Sequence, residues 1–386
     1  MLDLSRQYEK IRPEILAAIE KVCASAHYVM GEDVGAFESE LAAFTGATAA
    51  VGCASGTDAL WLALVAAGVQ PGDSVVSTPF SFFASASAIV RAGARPVFAD
   101  IDPRTWNLDA VALAKTLRGE RRAKLRAVLP VHLYGQCPDM DAFGEVAEEF
   151  GLVVIEDAAQ AIGAEWNREQ RGASKAESFK AGSLGAAAAF SFYPTKNLSA
   201  YGDAGAVTTM DADWAEHMRR LRNHGSPRRY VHEEMGWNSR LDSIQAAILR
   251  VKLRYIAEWN EARRAKAAEY DRLLAGAGLV SAADAAGPLT LPWRDPRAWH
   301  VFHQYVVRVQ RRDGLRAFLA ERGVASEVYY PIPLHLQSSF AYLGYREGDF
   351  PEAERAAREV LALPMFPELR GDEQESVVAA IAEFYG

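Results

Sequence analysis

The sequence predicts an α/β protein: a mostly parallel central sheet flanked by helices, followed by a smaller α+β C-terminal domain. Two observations carry this. From about residue 48 to 210, short apolar runs of four to six residues alternate with segments of helical spacing, the pattern of strands buried on both faces and joined by crossover helices. From Leu241 onward the alternation gives way to a long Ala/Arg/Glu-rich helical stretch and then to scattered strand and helix patterns.

Taken in order, Met1 to Glu20 mixes charged and apolar residues at helical spacing and has no apolar signal-peptide core. Strands are expected at Ala49–Cys53, Ser74–Thr78, Pro96–Asp100, Ala127–His132, Leu152–Glu156, Ala187–Phe192 and Ala206–Thr209, several of them flanked by Gly, Pro or Asp. Helices are expected between them at Thr57–Ala67, Phe82–Ala92, Met140–Phe150 and Trp214–Asn223. Leu241–Ala275 reads as one long helix or two joined ones, and the Ala/Gly/Pro-rich Leu279–Arg297 as a connector. Val301–Val309 and Ala325–Tyr330 read as strands, and Gly314–Arg322 and Pro351–Leu361 as helices. We place the domain boundary at residue 250, giving a large domain over 1–250 and a small one over 251–386.

The 386 residues carry 42 basic and 50 acidic side chains, a net charge of −8. This excludes the basic balance of a nucleic-acid binder. Cys23, Cys53 and Cys137 offer neither a disulfide framework nor metal-ligand spacing, and Cys53 and Cys137 read as small apolar core residues. There is no run of roughly 18 apolar residues to span a membrane. The expectation is a soluble cytoplasmic protein with no metal, no nucleic-acid partner and no membrane contact.

Ligands of such sheets sit beyond the carboxyl ends of strands, and three features fall there. Lys196 follows the uncharged run Ala186–Tyr193, where desolvation would lower its pKa and make the amine nucleophilic; the alternative is a surface lysine in a loop. Asp157 ends the run Leu152–Glu156 and could pair with a protonated pyridine nitrogen; the alternative is a helix N-cap. Ser55-Gly56-Thr57-Asp58 follows the first strand and opens a helix, a phosphate cradle without a Walker lysine or a GxGxxG motif. Together, phosphate cradle, pyridinium partner and Schiff-base lysine fit the requirements of pyridoxal phosphate.

Eight stretches then make the chain resemble the DegT/StrS group of nucleotide-sugar aminotransferases, which are fold-type-I pyridoxal-phosphate enzymes. They are Ser55–Leu60, Pro79–Ala84, Asp100–Asn107, Val131–Gln136, Ile155–Gln160, Ser191–Lys196, Gly236–Asp242 and Tyr329–His335. The resemblance implies a fold-type-I transferase in which Lys196 holds the cofactor as a Schiff base and moves the proton, and Asp157 pairs with the pyridine N–H. It implies that Gln160 contacts the phenolic oxygen, Phe82 stacks on the ring, and Ser55, Gly56, Thr57 and Ser191 hold the phosphate. Asn238 would reach the phosphate from a second subunit, making the active unit a homodimer with shared sites. Tyr28, Thr195, Arg240, Tyr329, Tyr330 and His335 match positions lining the sugar-nucleotide pocket, and Arg228 and Arg229 are candidates to meet the substrate diphosphate.

The expected reaction moves an amino group from an amino acid, L-glutamate in this family, to the ketone of a nucleotide-linked keto-sugar. The C-terminal motifs are most like members that aminate C3 of a dTDP-linked 3-keto-6-deoxyhexose or a UDP-linked 3-keto-uronate. The alternatives are C4 amination, a sugar dehydratase and a non-catalytic regulator. Dehydratases of this kind carry histidine where Lys196 stands, and a regulator would be expected to have lost cofactor residues that are all present. His232-Glu233-Glu234-Met235-Gly236 lacks the second histidine of a zinc motif. His300 and His303, three apart in an expected strand, would point to opposite faces.

Overall fold

In the computed structural model, the described residues are 1–119, 124–168, 177–280 and 287–386. Helices α1 (Leu4–Ser25) and α2 (Glu32–Thr45) precede β1 (Ala49–Cys53), α3 (Gly56–Ala66), β2 (Ser74–Ser77), α4 (Ala84–Arg91), β3 (Arg95–Phe98), α5 (Ala110–Gly119) and β4 (Leu125–Leu129). Then come α6 (Met140–Phe150), β5 (Val153–Asp157), the hairpin β6 (Glu165–Arg168) and β7 (Glu177–Lys180), β8 (Ala187–Ser191), β9 (Gly205–Thr209) and α7 (Ala212–Leu221). The C-terminal part comprises α8 (Ser243–Leu253), α9 (Ile256–Gly276), β10 (Leu289–Thr290), β11 (Ala298–Trp299), β12 (Tyr305–Val309), α10 (Arg312–Glu321), α11 (Pro351–Glu359), β13 (Val360–Leu363) and α12 (Gly371–Tyr385).

The seven strands expected over 48–210 form one sheet in the order β1-β9-β8-β5-β4-β2-β3. Neighbours from β8 to β3 pair in parallel, whereas β9 runs antiparallel to both β8 and β1. Parallel strands need crossover helices, and the helix starts are locally encoded: the Ser55, Asp139 and Asp211 side chains accept backbone N–H bonds at the starts of α3, α6 and α7. Both faces of the sheet are covered, which is why its strands read as continuous apolar runs: Val75, Val76, Ala127, Val128, Ala187 and Ala189 are all buried.

Of the two readings of Leu241–Ala275, the structure has the two joined helices, interrupted at Arg254 and Tyr255, whose side chains both turn to Glu14 of α1. Other expectations require correction. Ala325–Tyr330 is not a strand: a single pair, Glu327 with Ala362, joins it to β13, and the tyrosines that follow leave the sheet for the cavity described below. The strand expected from Val301 starts only at Tyr305. Residues before it are held by the loop at Tyr134 and Gly135, and Phe302 has φ 46°, so the chain turns there instead of running extended. Helices α2, α5 and α12 and the hairpin β6–β7 lie where no element is expected from the sequence. Part of the expected connector, 281–286, lies outside the described residues. The C-terminal sheet β10-β12-β13 packs with α9 to α12 around buried Tyr270, Tyr305, Leu361 and Ile381.

Candidate active site

The ends of β1, β2, β5 and β8 open onto one cavity of about 710 Å³, closed on its far side by His303, Gln304 and Glu327–Tyr330 from the C-terminal part. Asp157 and the strand leading to Lys196 are neighbours in the sheet, since Asp157 pairs with Ala189. The two charged groups singled out in the sequence therefore meet because β5 and β8 are adjacent.

Asp157 is buried. Its Oδ2 accepts the Ser85 hydroxyl at 2.7 Å, and Ser85 in turn lies 2.8 Å from the Ser81 hydroxyl. Its Oδ1 accepts the Ala159 N–H at 3.3 Å. Burial raises its pKa, opposed by these hydrogen bonds and by the Lys196 and His132 charges. No helix begins after Asp157, because residues 158–164 form turns before β6, so the N-cap alternative has nothing to cap. Lys196 is half-buried in the loop after β8 and lines the same cavity. Burial pulls its pKa down to about 8, with the Asp157 carboxylate pulling the other way. This is not the environment of a surface lysine.

Gly56 is the first residue of α3, whose N-terminal N–H groups face the cavity. A Cβ there would lie 2.6 Å from the Ser191 Cβ, and one on Gly205 would lie 2.4 Å from the Ser55 carbonyl. Only glycine allows these backbones to close into a cradle. With Thr57 and Ser191 lining it, the cradle suits an anion at a helix N-terminus. Gln160 is aimed by two partners: its Oε1 accepts the Tyr134 N–H at 2.6 Å, and its Nε2 donates to the Tyr330 hydroxyl at 3.1 Å. The Tyr134 hydroxyl donates to the Tyr329 carbonyl. Phe82 is 59% exposed and its ring tilts toward Tyr330 at 6.2 Å, so one face is left free at the mouth. An anion cradle, a buried carboxylate, an amine of lowered pKa and an exposed aromatic ring fit pyridoxal phosphate.

The structure thus brings Ser55, Gly56, Thr57, Phe82, Asp157, Gln160, Ser191, Thr195, Lys196, Tyr329 and Tyr330 to one cavity. It does not bring Tyr28, Asn238, Arg240 or His335 there. Arg240 donates to the Asn223 side chain at 3.1 Å, and Asn238 bridges to Asn223. Tyr28 is exposed. His335 is buried, with Nε2 3.1 Å from Glu354 Oε1 and its ring against Phe350. Arg228 and Arg229 lie outside the cavity lining too. Neither His300 nor His303 is in a strand: His300 stacks on Phe302 with ring centroids 3.8 Å apart, whereas His303 lines the cavity. Ser85 lies in the first turn of α4 and Ser81 three residues before that helix, and nothing local in the sequence singles the pair out. Tyr134 and His303 had no local signal.

The model of the DegT/DnrJ/EryC1/StrS aminotransferase family matches residues 9–382. The chain is 50% identical over its full length, and over 98% of the relative, to a protein of Geobacillus stearothermophilus named pleiotropic regulatory protein. It is 43% identical to a dTDP-3-amino-3,4,6-trideoxy-alpha-D-glucose transaminase of Streptomyces venezuelae, covering 99% of this chain and 95% of the other. Among solved structures it is similar to S. venezuelae DesV in complex with a ketimine intermediate, with TM-score 0.90 and 42% identity over 99% of this chain and 96% of that one.

Proposed function

Since the chain belongs to the DegT/DnrJ/EryC1/StrS aminotransferase family, and so is a pyridoxal-phosphate aminotransferase, we propose that it carries an amino group from L-glutamate to C3 of a nucleotide-linked 3-keto sugar in the cytoplasm. The observation that carries the catalytic reading is the pairing of Lys196, its pKa pulled down to about 8, with buried Asp157 in one cavity. The name of the S. venezuelae relative, a 3-amino sugar transaminase, favours C3 over C4. The name of the G. stearothermophilus relative raises the regulatory alternative, against which stand the cofactor residues other than Asn238 gathered around one cavity.

Pyridoxal phosphate, when bound, withdraws the electron pair left on carbon as a proton leaves. The residues do the rest. Ser55, Gly56, Thr57 and Ser191 would hold the phosphate, and Phe82 would cover the ring. Asp157 would keep the ring nitrogen protonated, its carboxylate held in place by Ser85. Gln160 has a second Nε2 hydrogen left to reach the phenolic oxygen. Lys196 would hold the cofactor and, once free of it, would take up a proton as a neutral amine and return it across the intervening nitrogen, a 1,3 shift. Thr195, Tyr329 and Tyr330 would contact the sugar. Tyr28, Asn238 and Arg240 would act on the site of a partner subunit, Asn238 and Arg240 as amide and guanidinium donors toward anionic groups.

The test is a half-reaction screen. Enzyme carrying the amine form of the cofactor is mixed with dTDP-, UDP- and GDP-linked 3-keto and 4-keto sugars, and return of the visible absorbance is followed. A 3-keto sugar should react fastest. Preference for a 4-keto sugar would move the reading to C4. No reaction with any sugar, from a protein that glutamate also fails to bleach, would favour the regulator.

A further inference from the structure

His303 belongs to none of the roles above, yet it lines the cavity and is 8% exposed. Its hydrogen bonds settle its tautomer, because they form a chain that begins at a group able only to accept. The Ile162 carbonyl accepts from Asn260 Nδ2 at 2.9 Å. Asn260 Oδ1 therefore accepts, and it does so from Asn197 Nδ2 at 2.9 Å. A second carbonyl, Val301 O, lies 3.4 Å from the same Asn197 nitrogen, so the Asn197 amide is oriented from two sides. Asn197 Oδ1 is left as the acceptor for His303 Nδ1 at 3.1 Å. The proton is on Nδ1, and Nε2 carries a lone pair. No described residue hydrogen-bonds Nε2, and it is not among the sealed polar atoms, so it is open to the cavity.

The charges around the ring keep it neutral. Lys196, from the loop after β8, and Arg263, from α9, both act on it as cations, and with burial they hold its pKa well below the ordinary imidazole value. Arg263 also donates to the carbonyls of Phe302 and His303 at 3.2 Å, which pins the ring's backbone. The carboxylates of the same cavity, Asp157, Asp203 and Glu327, make no hydrogen bond to it; those of Asp157 go to Ser85 and Ala159, and those of Glu327 to Arg316 and the Val328 N–H. The Tyr329 and Tyr330 phenols are held protonated, their pKa values raised by burial.

We propose that His303 is a positioning residue for Lys196: a neutral imidazole locked in one tautomer, whose Nε2, left without a partner among the described residues, becomes the acceptor for the ε-amine when the lysine side chain turns toward it carrying a proton. Asn197 ties the two together, since it follows Lys196 in the chain and orients the ring. An acceptor of set polarity gives the protonated lysine one direction to point, and a second cation at this place would expel it. The proposal rests on Lys196 as the cofactor lysine.

Two measurements on the cofactor-free enzyme test it. In nitrogen-15 NMR of histidine-labelled protein, with the His303 signals identified by their loss in His303→Gln, Nδ1 should carry the proton. Nε2 should stay unprotonated from about pH 6 to about pH 8. A proton on Nε2, or titration within that range, overturns the proposal. Separately, acylation of Lys196 across pH is read on its own peptide by mass spectrometry. Losing an acceptor disfavours the ammonium form, so His303→Phe should lower the midpoint by about half a pH unit or more, and His303→Gln, which still offers a carbonyl oxygen, should restore most of it. An unmoved midpoint in a folded His303→Phe protein also overturns it. Neither readout depends on amino transfer. Failure of the cofactor-lysine assignment would instead show as turnover by Lys196→Ala, and failure of the aminotransferase reading as no reaction of the wild-type enzyme with glutamate or any keto sugar.

Discussion

Ser85 is where a single hydroxyl governs the chemistry most directly. It holds one oxygen of Asp157 at 2.7 Å, and a hydrogen bond to a charged group is worth about 1.5–3 kcal/mol. Ser85→Ala should weaken cofactor binding by about ten- to a hundredfold at that scale. Asp157→Asn, which removes the negative charge opposite the ring nitrogen, should cost kcat several kcal/mol, each ~1.4 kcal/mol being tenfold. Titration of the cofactor-free enzyme with pyridoxal phosphate and steady-state kinetics check the two; a loss below about threefold for Ser85→Ala would show that the hydroxyl is incidental. The second residue-scale prediction concerns pH. A lysine held at about 8 is neutral far more often near neutrality than one at the ordinary 10.5, and only the neutral amine is a nucleophile. Cofactor capture by the cofactor-free enzyme should therefore quicken about tenfold per pH unit below about 8 and level off above it. A rate still climbing near pH 10 would return Lys196 to an ordinary solvated amine.

At the scale of elements, the cradle depends on how close α3 comes to the end of β8. Gly56→Ala would set a Cβ 2.6 Å from the Ser191 Cβ, an overlap that a short side chain next to backbone cannot relieve by rotation. Overpacking of this kind costs about 1–3 kcal/mol. It should appear twice, as a lower Tm and as at least a tenfold weaker affinity for inorganic phosphate or cofactor. A variant with wild-type affinity would place the phosphate elsewhere. The same scale explains the uneven legibility of the chain. Met140–Phe150 begins and ends as expected because Asp139 caps it and Gly151 terminates it with φ 64°. The expected strand at Ala325–Tyr330 fails because an apolar run reports only that residues leave water, and here buried Val328 and partly buried Tyr329 and Tyr330 form the wall of the cavity and not a rung of a ladder.

At the scale of the whole molecule, the cavity mouth is rimmed by large apolar side chains that remain exposed in one chain, among them Phe82 and Tyr193, and further examples lie on the segments at Tyr28–Met30 and Tyr230–Trp237. Large apolar side chains left in water suit an interface when they gather into a patch, and we propose that a second copy covers these. Mixing Lys196→Ala with Asn238→Asp under subunit exchange tests this. If Asn238 acts in trans, random pairing makes half of the dimers mixed, and one site of each mixed dimer carries neither defect, so about a quarter of wild-type activity should return. No recovery despite demonstrated exchange would remove Asn238 from the partner's site. The proposed division at residue 250 belongs to this scale too: α8, which spans it, packs on α1 and α2, the start of α9 at Ile256 and Trp259 shares that core, and from Ala267 onward α9 joins the C-terminal one.

The sequence by itself determined the alternating strand and helix order, the strand-end positions of Lys196 and Asp157, and the glycines of the cradle. All of these follow from local composition: apolar runs for buried strands, capping residues for helix starts, glycine where backbones touch. Only the tertiary structure decided that β9 runs antiparallel, that Ser85 and not a helix end holds Asp157, and that His303 faces the cavity while His335 turns to Glu354. Each depends on partners far apart in the chain: 72 residues separate Ser85 from Asp157, and 106 separate Asn197 from His303. Side-chain periodicity records whether a residue is buried, but the identity of the group it is buried against is set by how the elements cross.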